Sequence, residues 1–240
     1  MKNNVAKKAW DKRGSILCGI AFVVLLTACA DLDDSGTSPT PVAFVSLYHG
    51  SPDAPDLDVI VDNRSIFSQK FEYTDYTGYL NFYTGNRHFK FNPFNASNAL
   101  VDTTLNFVQG ETYSVFVIDR LSGIEALLVR DSSATPAAGN AMVRFVHLSP
   151  DAPAVNVSVI GETGAPLFGS QSFKAASNFK EVSSKTYSFA VKAAGNDTAL
   201  LTVPDITLRA GKYYTIIIRG FTTPPVGNTN SLSAQVVPNE

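Results

Sequence analysis

His49, Ser51 and Asp53 are the side-chain types of a hydrolytic relay: an imidazole base, a hydroxyl nucleophile and a carboxylate. The same types recur at His147, Ser149 and Asp151, because HGSPDAPDLDV (49–59) returns 98 residues later as HLSPDAPAVNV (147–157). A triad, however, is defined by geometry rather than by closeness along the chain. Each serine precedes a proline, Pro52 or Pro150, which biases its backbone towards an extended form. Neither serine sits in the Gly-x-Ser-x-Gly turn that lifts a nucleophile onto an elbow. His49, Asp53 and Asp58 also offer mixed metal ligands, but their spacing matches no recognised ligand pattern, and Asn156 replaces the last carboxylate in the second copy. No catalytic group, metal or cofactor is therefore expected, and hydrolysis by His49, Ser51 and Asp53 stands as a remote alternative. A structural turn accounts for both copies. Pro52 and Pro55, like Pro150 and Pro153, fix φ, Ser51 and Asp53 can accept hydrogen bonds from nearby amides, and the histidine can bond a loop carbonyl.

The elements around these turns read as strands. Leu57, Val59 and Val61 alternate with Asp58, Ile60 and Asp62, the period of a half-buried strand. Further β-rich runs cover Ala43–His49, Leu100–Phe107, Thr112–Asp119 and Ile124–Arg130, then Met142–His147, Val155–Ile160, Thr198–Leu208, Tyr213–Arg219 and Leu232–Val237. Gly, Pro, Asn and Asp punctuate them, and no long stretch carries a 3.6-residue apolar stripe. Val45–Val61 aligns with Val143–Val159, and the run from Gly110 aligns with that from Gly211. The chain is thus expected to be all-β, with two tandem immunoglobulin-like β-sandwich repeats at 42–133 and 141–240, and a hinge at 134–140. Tyr113 and Tyr214, each three residues after a glycine, are placed to bridge a sandwich corner through the hydroxyl.

The first 28 residues read as a signal peptide. Lys2, Lys7, Lys8, Lys12 and Arg13 precede an apolar run of 11 residues, Ile16–Leu26, too short for the roughly 20 needed to span a bilayer. The run ends in Leu26-Thr27-Ala28-Cys29, which resembles the lipobox of bacterial lipoproteins. That resemblance implies cleavage before Cys29 and acylation of it, by palmitate or a similar chain, with membrane attachment through lipid alone. Residues 29–41, small, polar and proline-rich, read as a lipidated tether. The residue after the cysteine is not aspartate, which resembles an outer-membrane sorting signal. The Asp31, Asp33 and Asp34 cluster resembles a surface-export signal, and the periplasmic and surface-exposed faces both stay open. Of two cysteines, Cys18 leaves with the signal, so the folded part holds no disulfide. Processing removes five of 19 basic and one of 21 acidic residues, leaving 14 against 20 and a formal net charge of −6. Such a surface argues against nucleic acid as a partner.

The HxSPDAPxVDV pattern followed by a strand resembles the bacterial domain-of-unknown-function 4397 (DUF4397) family, here in two tandem copies. The resemblance implies secreted or lipid-anchored β-rich domains and supplies no catalytic residue. Differences between the copies are better candidates for function than what they share. Residues 71–94 hold nine of the 26 aromatics, and the excess over the second copy falls on Tyr73, Tyr76, Tyr83 and Phe94. Exposed tyrosines make rigid, apolar-bodied, polar-tipped contacts. These four are therefore candidates for a face that binds a glycan or partner protein, or else they pack against the second repeat. Non-catalytic binding or adhesion is the leading function, and a structural cell-envelope role is the alternative.

Overall fold

The computed structural model describes residues 40–131 and 134–239. The segment read as a signal peptide, Cys29 and the part of the expected tether up to residue 39 lie outside the described residues, within which no helix is long and apolar enough to cross a membrane.

Eight strands build the first half: β1 (Val42–His49), β2 (Leu57–Val61), β3 (Arg64–Ser65), β4 (Tyr76–Tyr83), β5 (Gly85–Pro93), β6 (Val101–Phe107), β7 (Thr112–Ile118) and β8 (Glu125–Arg130). Eight more build the second: β9 (Asn140–His147), β10 (Val155–Val159), β11 (Phe168–Gln171), β12 (Lys180–Ser183), β13 (Thr186–Ala193), β14 (Ala199–Thr207), β15 (Tyr213–Arg219) and β16 (Ser233–Pro238). The first half pairs as β4-β1-β7-β8 over β3-β2-β5-β6, and the second as β12-β9-β15-β16 over β11-β10-β13-β14. The two orders are identical once eight is subtracted, so the chain is two β-sandwiches of one topology. Each core fills the space between its own sheets. In the first, Val45, Val115 and Val117 meet Val59, Phe89 and Phe91, and in the second Val143, Phe145 and Ile216 meet Val157, Phe189 and Val191.

In each sandwich the first strand lies parallel to the seventh, β1 on β7 and β9 on β15. The expected corner tyrosines are in place, since Tyr113 Oη accepts from the amide of Val108 at 3.3 Å and Tyr214 Oη from that of Arg209 at 3.1 Å. The aromatic strand β4 is invisible to a period-two reading. Gly78, at φ +66°, interrupts the alternation, and neighbouring Tyr, Leu and Phe face both sides.

Strands β1, β7, β9 and β15 are buried on both faces. Their outward side chains, Tyr48, Phe116 and Ile118 from the first sandwich and Val146 and Ile217 from the second, together with Leu148 just after β9, make a third apolar cluster between the sandwiches. Burial on both faces is why these strands read as nearly continuous apolar runs.

A polar cluster lies in the same interface. Arg144 donates from Nη1 to Asp131, from Nη2 to Ser114 Oγ at 2.8 Å and from Nε to Thr215 Oγ1 at 2.8 Å. Its guanidinium stacks on Phe179, 4.7 Å from the ring centre. Asp131 accepts further from Tyr79 Oη at 2.5 Å and Ser114 Oγ at 2.8 Å, and Thr215 donates to Asn239 at 2.6 Å. These positions correspond between the copies. Ser46 pairs with Ser114 across β1 and β7 as Arg144 pairs with Thr215 across β9 and β15, and Asp131 and Asn239 each follow the last strand. The sandwiches therefore meet about a pseudo-two-fold axis on which equivalent positions carry complementary residues.

Residues 134–140, read from the sequence as a hinge, make several hydrogen bonds to the second sandwich. Ala137 N and Asn140 Nδ2 both donate to Glu181, at 2.7 and 2.8 Å, and Tyr213 Oη donates to Ala134 O at 2.5 Å.

Candidate functional site

The two SPDAP segments make the same bonds. The His49 ring, fully buried at the end of β1, has Nε2 3.2 Å from Pro55 O, and His147 has Nε2 3.1 Å from Pro153 O. A carbonyl accepts only, so Nε2 carries the proton and Nδ1 keeps a lone pair that finds no partner among the described residues. Burial holds both imidazoles below their ordinary range, against the opposing effect of the carbonyl contact. Both rings are therefore neutral, and they pack against Phe71 and Tyr73 in one copy and Phe145 and Phe173 in the other.

Ser51 Oγ donates to Asp119 O at 2.6 Å, and Ser149 Oγ to Gly220 O at 2.6 Å. Asp53 accepts from the amide of Leu121 at 2.7 Å, and Asp151 from Thr222 and Thr223 at 2.7 and 3.0 Å. The serine proton is committed to a carbonyl and the imidazole to another, so in neither copy is the imidazole directed at the serine hydroxyl, although Asp151 lies 3.4 Å from Ser149 Oγ. Asp58 accepts from Asn95 N, well away from Asp53's partner. Among the described residues no three His, Cys, Asp or Glu converge on a metal position. The expected bonds to nearby amides take another form, because the partners lie 68 to 72 residues on, in the loop after the seventh strand. The segment thus ties one end of the sandwich together.

Asp53 and Asp151 differ in degree. Burial raises the Asp151 carboxyl, but the two amides outweigh it and hold the group below the usual carboxylate range. Asp151→Ala is expected to cost about 1–3 kcal/mol, and Asp53→Ala about 1 kcal/mol. Denaturant titration of each variant against the parent checks both the loss and its order.

The four candidate aromatics do not form one face. Tyr73 is half-buried under Arg219 of the second sandwich, 5.4 Å from its ring centre, and Tyr76 packs on the inter-sandwich cluster. Tyr83 is 61% exposed and Phe94 39%. They flank opposite ends of the nine-residue β5, about 27 Å apart along the strand. Half of the aromatic excess thus belongs to the interface between repeats.

Tyr83 borders a groove of about 480 Å³ between the edge strands β3 and β4. Its apolar floor is Val61, Ile66, Leu80 and Phe82, and its rim is Asp62, Arg64, Asn81, Tyr83 and Arg87. A two-residue hairpin shapes it, with Asp62 and Asn63 both at positive φ (49° and 65°), which turns β2 sharply into β3. Asp62 accepts from Arg87 Nη1 and from the amide of His88, both at 3.0 Å, so it holds Arg87 at the rim. The second sandwich closes the corresponding edge. Lys180 stands opposite Val143 as Leu80 stands opposite Val45, and it donates to Leu167 O at 2.7 Å, lying over the buried Phe168 ring. Sequence reasoning found Tyr83 but not Arg64, Arg87 or the floor. The Asp-Asn pair between two apolar runs is the signal that could have placed them.

Residues 43–158 match the model of the family described as Domain of unknown function (DUF4397), which supports the resemblance carried by the SPDAP pattern. The match takes in the first sandwich and both SPDAP segments. No curated protein matches the chain. A solved structure titled "Alpha-glucan binding by a streptococcal virulence factor" is similar at 10% identity, over 71% of this chain and 92% of that one, with a TM-score of 0.25. A likeness of that size carries no argument about function.

Proposed function

We propose that the chain is a lipid-anchored, non-catalytic binding protein of the bacterial outer membrane, which captures a glycan in the groove beside Tyr83. The observation that carries this reading is the groove itself. It is open in one copy of a duplicated fold and crossed by Lys180 in the other. Its volume lies within the roughly 300–1,000 Å³ of small-ligand sites, and a mostly apolar floor with a few fixed polar groups is their usual chemistry. An exposed tyrosine ring suits the flat apolar face of a sugar, and the Arg87–Asp62 pair and Asn81 offer donors and acceptors to its hydroxyls. The second sandwich, on this reading a second DUF4397 copy, is a rigid mount. Acylation at Cys29 rests on the lipobox, and it would attach the chain to the membrane through lipid.

Tyr83→Ala is expected to weaken glycan binding at least roughly tenfold, in line with loss of a well-placed aromatic contact, with no measurable change in melting temperature. Calorimetric titration of the chain with an oligosaccharide panel reads the first effect, and thermal unfolding the second. Binding that survives Tyr83→Ala unchanged would remove the groove from the function, and capture of proteins with no glycan affinity would favour an envelope-structural role.

A further inference from the structure

We infer that the ligand of this groove carries a carboxylate, as a uronic or similar acidic sugar does; the inference rests on the glycan reading above. Two guanidinium groups line the groove, Arg64 and Arg87, and a single carboxylate, Asp62. Asp62 already accepts from Arg87 Nη1 and His88 N. Arg87 has five N–H donors, and Asp62 engages it through Nη1. Arg64, exposed on β3, is within ion-pair distance of no carboxylate among the described residues. The groove thus keeps an excess of one positive charge and spare guanidinium donors.

That excess stands against the background of the molecule. The whole chain has a formal net charge of −2, so its general field repels an acidic glycan. Affinity for one requires a local site where cations outnumber carboxylates, and the groove is such a place. Guanidinium groups match a carboxylate through paired N–H donors, a geometry that a hydroxyl cannot exploit as fully. Tyr83 would then hold the face of the ring while Arg64 and Arg87 hold its acid group.

The test uses the full chain in detergent, titrated with acidic oligosaccharides (polygalacturonate, hyaluronan and sialylated tetrasaccharides) and with the carboxyl-reduced form of each. At least one acidic member is expected to bind roughly ten- to a hundredfold tighter than its reduced form, with affinity falling as salt rises. Arg64→Gln, which breaks no ion pair, is expected to bring that ratio close to one, as is Arg87→Gln. Equal binding of acidic and reduced forms overturns this inference and leaves the glycan reading intact. A preference for acid that persists in Arg64→Gln and Arg87→Gln overturns it too, because the acid is then read elsewhere. Absence of binding to every member, acidic or neutral, overturns the glycan reading itself.

Discussion

Arg144→Ala is expected to lower the stability of the molecule by about 3–5 kcal/mol, the cost of stranding one partner of a buried ion pair. Arg144 and Asp131 are each 2% exposed, and every atom of the pair that needs a partner has one, in Ser114, Thr215, Tyr79 or the pair itself. Removal of the guanidinium leaves the nearly fully buried Asp131 with two hydroxyl donors and no cation. The melting temperature should fall by roughly 10 °C, as the size of the molecule sets about 2–4 °C for each kcal/mol. The double variant Arg144→Met with Asp131→Leu should recover most of the loss, since an apolar pair carries no desolvation penalty. Urea unfolding of the parent, both single variants and the double closes the cycle. A single-variant loss below about 1 kcal/mol would show that water reaches the pair. Because the cluster joins residues from both sandwiches, the parent should unfold in one transition, and Arg144→Ala should separate it into two.

Stability is also expected to fall as pH drops below about 6.5, before most carboxylates titrate. His49 and His147 are neutral and buried, and burial lowers the pKa of both. In the unfolded chain each takes up a proton near pH 6.5. Between that pH and the lower folded values the unfolded state binds more protons, so stability is fully present above 6.5 and is lost as pH falls towards the folded pKa. Two such groups give a slope of up to about 2.7 kcal/mol per pH unit. Burial outweighs the groups that favour protonation in the folded state, which are the Pro55 carbonyl with the Asp56 and Asp75 carboxylates at His49 and the Pro153 carbonyl at His147. Urea midpoints at pH 7.5, 6.0 and 5.0 measure the slope. The double variant His49→Gln with His147→Gln, although less stable throughout, should be much flatter across that range, and an unchanged slope would assign the acid sensitivity to other groups.

The histidine is a good example of what was legible in the chain. Its place two residues before Ser-Pro-Asp-Ala-Pro, repeated, pointed to a turn, and its bond to Pro55 or Pro153 is of the expected kind. The aspartate was legible as a cap but not its partner, since an amide 68 residues away has no local signature. The continuous apolar runs VFVI and TIII marked β7 and β15 as strands, yet a strand buried on two faces reads the same whether its second face meets a helix, a sheet or another domain. Arg144 in the middle of such a run was the one local anomaly that could have pointed to the interface.

By itself the sequence determined the all-β class, the duplication, the boundaries of the regularly patterned strands within a few residues and the turn that both copies share. These follow from local rules: alternation of period two, glycine and proline punctuation, and the fixed φ of proline. Only the tertiary structure decided which aromatics serve contact between the copies and which remain open. Tyr73 and Tyr76 have the same composition signal as Tyr83, and they differ only in what the pseudo-two-fold packing brings against them. Burial is a property of the whole arrangement rather than of a residue's neighbours in sequence, so the Tyr83 groove, with Arg87 held at its rim by Asp62, exists only once both sheets and the β2–β3 hairpin are in place.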